Sequence, residues 1–511
     1  MTPWQLTVYE ENHTPSWFGR GVTYQIFPDR FFRSEQRPTD GLIGNRRLHA
    51  HWNEPVEYGP NEFGDYCSDF FGGDLKGIEK KLDYLASLGI TTIYLNPIFE
   101  SASNHRYNTA DYEHIDPLLG TDDDFRNLCS AAKAHGMRIM LDGVFNHTGA
   151  KSRYFNIDGF YSAPGAAQGP DSPYYSWFHF RHFPDDYDAW WGIKDLPAVK
   201  EEEKSYTDYI IHSPQAIIRR WLRAGASAWR LDVADELPDS FIAALRQAIT
   251  EENPEAFLLG EVWEDGSTKI AYSVRRRYLL GQELHGLMNY PFRNALLAYL
   301  TSGEAEQFRE PMESLRENYP PAAFFNLMNF LSTHDTPRIL TVLGCRQFPV
   351  SQAERSTYRL SAQERERGLI LLRLAALILF TFPGSPTIYY GDEIGMEGFE
   401  DPFNRAPYPW DNGDNSVFAL FQKLSALRNT RESLRSGSIR YYEAPAPVLA
   451  FERCANGEKS LTVVNASEKE QSLTLPWTRA AAVDALTSRE FFVGNDLLQL
   501  SLPPFTGVLI L

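Results

Sequence analysis

Four cysteines in 511 residues are few, and Cys67, Cys129, Cys345 and Cys454 lie far apart with no CxxC spacing. That excludes a thiolate zinc site and the dense disulfide framework of small secreted domains, and it fits reduced thiols in the cytoplasm. Basic residues are also short: 49 Lys and Arg face 67 Asp and Glu, a net charge of −18. Such a surface repels polyanions, so neither nucleic acid nor an anionic membrane is expected as a partner. Long hydrophobic runs are missing. The most apolar stretch, Leu369 to Phe382, is interrupted by Arg373 and is short for a membrane span. Met1 to Arg20 lacks a basic stretch followed by an apolar core, so no signal peptide is expected.

What is present is an ordinary globular composition with 14% aromatic residues, enough for core packing and for stacking on sugar rings. From Val22 strand-like and helix-like patterns alternate, as at Val22–Phe27, Lys76–Leu88, Thr91–Leu95, Asp122–His135 and Met137–Leu141. The alternation pauses between Asn146 and Ser205, a stretch rich in Gly, Pro, Asp and aromatics, and resumes with a helix at Ser213–Ala224. Eight βα units predict an α/β fold, a (β/α)8 TIM barrel with a small excursion domain after strand 3. Beyond Arg428 alternating segments such as Val448–Glu452 and Ser460–Val464 predict a C-terminal antiparallel β-domain. The expected division is an N-terminal extension (1–17), a barrel (18–145 and 206–430), an inserted domain (146–205) and the β-domain (431–511).

Four segments put acids or histidines where barrel strands should end: Asp142-Gly-Val-Phe-Asn-His147, Trp229-Arg-Leu-Asp232, Gly260-Glu261-Val-Trp-Glu264 and Ser332-Thr-His334-Asp335. A single such Asp is commonly a helix N-cap and a single His a satisfied loop residue. Four in succession point instead to catalytic side chains converging on one barrel face. Acetal hydrolysis needs one group to protonate the leaving oxygen and a carboxylate across the anomeric carbon, roughly 5 Å away in a retaining enzyme. Asp232 and Glu261 end neighbouring strands and fit that pair. Arg230, two residues before Asp232, shares its side of the strand and is placed to keep it ionised. Trp263 and Asp335 are the candidates for keeping Glu261 protonated.

In order and context these segments resemble the signature regions of the α-amylase family of glycoside hydrolases (family 13). The likeness runs from Tyr24-Gln-Ile-Phe-Pro-Asp-Arg30 to the C-terminal domain. It implies Asp232 as nucleophile, Glu261 as acid/base and Asp335 as the carboxylate that binds sugar hydroxyls and stabilises the transition state. It further implies that His147 and His334 contact the sugar beside the cleavage point, with Asp142 and Arg230 supporting the nucleophile. Tyr107, in Asn104-His105-Arg106-Tyr107, would stack under that sugar with His105 nearby, and Asp401 and Arg405 would bind the next sugar on the non-reducing side. Trp190-Trp191-Gly-Ile-Lys-Asp-Leu-Pro197 and Asp232-Val-Ala-Asp-Glu236 look most like the neopullulanase, cyclomaltodextrinase and maltogenic amylase branch, in which Glu236 would border the acceptor side.

The chain departs from that branch at Leu196-Pro-Ala-Val199, where Met-Pro-Lys-Leu is usual, and at Asp235, where Asn is usual. Met1 to Pro15 is too short for the β-sandwich that often precedes the barrel and builds a dimer, so a monomer is favoured. Asn146 matches a family position for structural Ca²⁺. No set of carboxylates in the excursion completes the shell, so a loop hydrogen bond is the preferred reading, with no cofactor required and structural Ca²⁺ the alternative. The cluster Tyr174-Tyr175-Ser-Trp177-Phe178-His-Phe180 reads equally as a sugar platform or as the excursion's core. Expected partners are α-glucan oligosaccharides. The rival readings are a transglycosylase or maltodextrin glucosidase on the same scaffold, and a non-enzymatic glucan-binding protein.

Overall fold

Eight short parallel strands form the centre of the molecule: β1 (Thr23–Ile26), β2 (Thr92–Leu95), β3 (Arg138–Gly143), β4 (Ala228–Leu231), β5 (Phe257–Gly260), β6 (Gly286–Leu287), β7 (Met328–Phe330) and β8 (Ser385–Tyr389). Their order is β6-β5-β4-β3-β2-β1-β8-β7, and a parallel bridge between Met288 and Met328 joins the two ends into a ring. This computed structural model describes residues 5–511; the first four residues of the expected extension lie outside the described residues.

Successive strand residues point to opposite faces. Tyr94, Met140, Ala228, Phe257, Leu259, Met328 and Phe330 turn inward, and Phe18 stacks on Phe257 at 4.6 Å to pack the end of the barrel where the strands begin. Farther along, the inward positions become polar: Asp142 on β3, Arg230 and then Asp232 on and beyond β4, and Glu261 beyond β5. The opposite faces, such as Ile93, Leu141, Trp229 and Leu258, pack against the surrounding helices.

Two helices differ from expectation. The run expected at Lys76–Leu88 is two helices, Leu75–Lys80 and Leu82–Ser87. Between them Lys81 leaves helical geometry and sets its ammonium 3.7 Å from the Trp410 ring centroid. The helix expected from Ser213 begins at Ile217, because Pro214 biases Ser213 to the extended backbone it adopts. The helix at Asp122–Ala134 starts with a full capping box between Thr121 and Asp124.

Between β3 and the helix Ile217–Arg223 the chain forms short 3₁₀ turns, one hairpin, Phe180–His182 with Asp186–Tyr187, and then a helical turn, Lys204–Thr207, that widens into a π-helical turn at Asp208–His212. Its interior is aromatic. Trp177 stacks on Tyr154 at 5.3 Å and Phe178 meets Phe155 edge-on at 5.0 Å, all four being buried. This decides between the two readings of the 174–180 cluster in favour of a core.

Past the helix Asn415–Thr430 come β9 (Ser438–Tyr441), β10 (Val448–Ala455), β11 (Glu458–Asn465), β12 (Gln471–Pro476), β13 (Val493–Gly494), β14 (Leu497–Leu502) and β15 (Thr506–Ile510). They form two antiparallel sheets, β9-β10-β11-β15 and β12-β14-β13, closed over Val448, Leu461, Val463, Leu475, Leu498 and Leu500. Tyr299 and Arg453 tie this unit to the barrel through hydrogen bonds to Val464 O (2.8 Å) and Thr381 O (2.8 Å).

Candidate functional site

The polar end of the barrel is organised around one buried guanidinium. Register places Arg230 beside Asp142 on β3 and Leu231 beside Gly260 on β5, so Asp232 and Glu261 emerge side by side. Arg230 is 0% exposed. Its Nη1 lies 2.8 Å from Asp142 Oδ1 and 2.8 Å from Asp232 Oδ1, and its Nη2 lies 2.8 Å from Glu261 Oε2. Arg230 thus meets two further carboxyls besides Asp232, because inward positions of three adjacent strands meet at the height of its head.

Glu261 is held from both sides. Its Oε2 accepts from Val233 N at 2.9 Å. Its Oε1 lies 3.1 Å from Tyr290 Oη and 3.2 Å from Trp263 Nε1. Trp263 was expected as an apolar wall; instead it presents its N–H edge to Glu261 while its ring stacks on Tyr290 at 4.1 Å.

Tyr107 joins the Asp142 and His334 sides. Its hydroxyl donates to Asp142 Oδ2 at 2.8 Å and meets His334 Nε2 at 2.6 Å, and its ring lies parallel to His334 at 5.1 Å. Gln25 Nε2 donates to His334 Nδ1 at 2.9 Å, which puts the imidazole proton on Nε2, the nitrogen also 3.2 Å from Asp335 Oδ2. His105 Nδ1 accepts from Tyr107 N. His147 stacks on Trp190, and its buried Nε2 has no partner among the described residues. Burial makes all three imidazoles neutral: His147 is lowered to about 4, His105 to about 3 with help from Arg405, and His334 well below its usual value, with Arg405 and Arg230 adding to burial. Neutral imidazoles suit uncharged hydroxyls. Arg405 Nη1 pairs with Asp401 at 2.7 Å, and its Nη2 reaches Asp335 Oδ1 at 3.6 Å.

The carboxyls compete for few cations. Burial, then the charges of Glu261 and Asp142, push Asp232 upward against Arg230; burial also raises Asp142. Asp335 is raised to about 7 by burial and by Glu261, with Arg405 and Arg230 opposing. The groups titrate as a set that keeps a proton near neutrality. For Asp335 the folded state holds a proton that the unfolded chain releases above its ordinary 3.8, so stability falls as pH rises from there to about 7. Asp335→Asn is expected to raise Tm by about 2 °C or more at pH 8 and to leave it unchanged near pH 4. Thermal unfolding at the two pH values checks this; equal shifts at both would contradict it.

His105, Tyr107, His147, Asp232, Glu261, His334 and Asp335 line a cleft of about 980 Å³ that also contains Trp190, Trp191, Glu236, Trp263, Lys269, Asp401 and Arg405, and the buried Asp142 and Arg230 support it through their contacts with Tyr107, Asp232 and Glu261. In the ring β4 and β8 stand four places apart, hence opposite each other. Glu236, after β4, thus lies across the mouth from Asp401 and Arg405, after β8. All twelve candidate catalytic and substrate-binding residues belong to this one constellation.

Asn146 lies apart from it in role. Its Nδ2 contacts His147 Nδ1 at 3.2 Å and its carbonyl accepts from Val199 N. Among the described residues the one cluster of acids and histidine with metal-like spacing is Asp111, Glu113 and His114, and there Arg153 already supplies the cation.

The departures have structural roles. Leu196 O accepts from Trp190 N, Pro197 pairs with Ala189 and Ala198 with His147, so this segment backs the Trp190–Trp191 loop. Asp235 accepts from Tyr278 Oη at 2.7 Å and pairs with Lys269 at 2.9 Å, a charge contact that Asn would not supply. Sequence reasoning missed Gln25, Tyr94, Asn96 and Tyr290. Tyr94 Oη donates to Asp142 Oδ2 at 2.7 Å and Asn96 Nδ2 to Tyr107 Oη at 2.8 Å. Extending the period-two rule along β1 and β2 finds the first three.

Residues 25–419 match the family description "Alpha amylase, catalytic domain". The chain belongs to the alpha-amylase family. Residues 441–509 of this alpha-amylase-family chain match "Maltogenic Amylase, C-terminal domain". It is 35% identical over 575 residues to an amylopullulanase of Thermoanaerobacter thermohydrosulfuricus, covering 99% of this chain but 37% of that one. It is 32% identical to neopullulanase 2 of Thermoactinomyces vulgaris, covering 97% and 78% of the two chains. The solved structure of a debranching enzyme from Nostoc punctiforme superposes with a TM-score of 0.77 at 29% identity, covering 99% of this chain and 100% of that chain. The chain thus spans well under half the length of the amylopullulanase it matches.

Proposed function

We propose that this chain is a retaining hydrolase of α-glucans, cutting α-1,4 and also α-1,6 glucosidic bonds in maltodextrins, cyclomaltodextrins or pullulan through a covalent glycosyl-enzyme. The observation that carries the reading is the grip of adjacent guanidinium nitrogens of Arg230 on Asp232 and Glu261. That bridge favours the short separation of a retaining pair, roughly 5 Å, over the wider one that admits water. The names of the amylopullulanase, neopullulanase and debranching relatives support the substrate class.

In this reading the Asp232 carboxylate attacks the anomeric carbon as its bond to the leaving oxygen breaks, and Glu261 gives that oxygen a proton. Donors surround both oxygens of Glu261, Val233 N and Arg230 at Oε2 and Tyr290 Oη and Trp263 Nε1 at Oε1, which fixes the carboxyl beside Asp232. Water then gives a proton to Glu261, attacks the same carbon and releases Asp232. Asp335 and the neutral His147 and His334 hold the sugar's hydroxyls, Tyr107 with His105 supports the ring, and Asp401 and Arg405 hold the next sugar. Transfer to a sugar acceptor is the second reading, favoured by the aromatic rim around Glu236. Four free cysteines, two of them buried, support a cytoplasmic setting.

NMR of the first product is expected to show the α anomer; an initial β anomer overturns retention. A product profile on γ-cyclodextrin, pullulan, starch and maltotriose identifies the substrate. Panose from pullulan with ring opening supports the proposal, whereas glucose released from chain ends alone indicates a maltodextrin glucosidase.

A further inference from the structure

Behind the cleft wall, Gln25 on β1, Asn96 just after β2, Tyr107 in the loop beyond it and His334 after β7 close a circuit of hydrogen bonds. Gln25 Nε2 reaches His334 Nδ1 at 2.9 Å and Asn96 Oδ1 at 3.2 Å. Asn96 Nδ2 reaches Tyr107 Oη at 2.8 Å, and His334 Nε2 reaches the same oxygen at 2.6 Å. Gln25, Asn96 and His334 are buried, and register sets Gln25 level with Tyr94, whose hydroxyl also belongs to this wall.

The direction of every bond in the circuit follows from Asp142. Its Oδ1 takes Arg230 Nη1 at 2.8 Å, and its Oδ2 takes the hydroxyls of Tyr94 at 2.7 Å and Tyr107 at 2.8 Å. A phenol has one proton to give, and Tyr107 gives it to Asp142. The Tyr107 oxygen must then accept from both neighbours, so His334 carries its proton on Nε2 and Asn96 presents Nδ2. Asn96 Oδ1 is left facing Gln25, which fixes the amide there. Turned over, Gln25 would set its oxygen against Asn96 Oδ1 and against the bare Nδ1 of His334. Gln25 therefore donates twice and Tyr107 accepts twice, with two arms running from the amide to the carboxylate.

His334 needs such a constraint. Burial and the charges of Arg405, Arg230 and His105 keep the imidazole neutral, but a neutral imidazole can carry its proton on either nitrogen. Its Nε2 also lies 3.2 Å from Asp335 Oδ2, on the side that faces the sugar. Resting on the hydrolase reading above, we propose that Gln25 is a positioning residue: through Asn96 and Tyr107 it locks His334 as an Nε2 donor, so that this edge of the imidazole gives a hydrogen bond to the sugar hydroxyl beside Asp335 and never takes one.

Nitrogen-15 labelling of histidine reads the tautomer in the resting protein, with the His334 signals assigned by their loss in His334→Gln. Wild type is expected to show Nε2 protonated and Nδ1 bare from about pH 5 to pH 8. Gln25→Glu keeps the side chain's shape and replaces the donor by an acceptor, which draws a proton onto Nδ1. At low pH the result is an imidazolium that still donates from Nε2; at higher pH it is the Nδ1–H tautomer, which does not. The variant's kcat/KM on maltohexaose, relative to wild type, is expected to fall by about tenfold or more between about pH 5 and pH 8, mainly in kcat. Gln25→Leu, which neither gives nor accepts, should cost about three- to tenfold with no such slope. A wild-type His334 with its proton on Nδ1 overturns the proposal without any variant having to fold, and so does a Gln25→Glu ratio that stays flat with pH. Wild-type protein that does not cleave maltohexaose, γ-cyclodextrin or pullulan overturns the hydrolase reading instead, a separate outcome.

Discussion

Asp232→Asn is expected to lower kcat on maltodextrins by about 10⁴-fold or more while leaving the fold intact. The amide keeps the shape of the carboxylate but cannot form the glycosyl ester. It also removes a negative charge from a buried set in which Asp142, Asp232 and Glu261 share Arg230. Asp232 is itself driven toward its protonated form by burial and those neighbours. The neutral variant is therefore expected to match or exceed the wild-type Tm at neutral pH, because the strain of ionising a crowded buried carboxyl is gone. Single-turnover kinetics and thermal unfolding check both halves. A kcat within tenfold of wild type would remove Asp232 from the chemistry.

The second large effect concerns the cation. Arg230→Met keeps volume inside the barrel but strips three carboxyls of their common partner. Removing one member of a buried ionic cluster costs about 3 to 5 kcal/mol, and activity is expected to fall by about 10³-fold or more with it. The pH dependence gives the diagnosis. Without Arg230 the native carboxyls hold protons more tightly than the unfolded chain does, so stability falls more steeply as pH rises above their ordinary range. The Tm deficit against wild type should be large at pH 8 and small near pH 4.5. A deficit independent of pH would point to lost packing instead.

How much of this was legible depended on whether a residue's role followed from chain periodicity. Asp142, Arg230, Asp232 and Glu261 sit at strand ends, and alternation along β3, β4 and β5 fixes their shared face, so the sequence carried both the barrel and its charged end. Asp335 and His334 were readable for the same reason after β7. Register was not readable. Nothing local says that Leu231 lies beside Gly260, and so the reach of Arg230 to Glu261 emerged only in three dimensions. Tyr290 was missed because it begins a helix, Tyr290–Ser302, just beyond β6, where no strand alternation directs it inward. The turns at Trp191 and Tyr272, where the backbone is left-handed, were hidden for a different reason. Trp and Tyr are poor residues for left-handed turn positions, so sequence rules do not find turns at Trp191-Gly192 or Tyr272-Ser273. Helix limits failed where a single residue intervened, as at Pro214 and Lys81.

The guanidinium that joins three strands also gives the proposed reaction its timing. When Asp232 becomes an ester it ceases to be an anion, and Arg230 no longer divides its charge with it. The same cation is then free to stabilise the Glu261 carboxylate that has just surrendered its proton and must next accept one from water. Release of the ester restores the original sharing. The exchange of roles between the two half-reactions thus needs no moving part: it follows from one charge that is redistributed as each covalent bond forms and breaks.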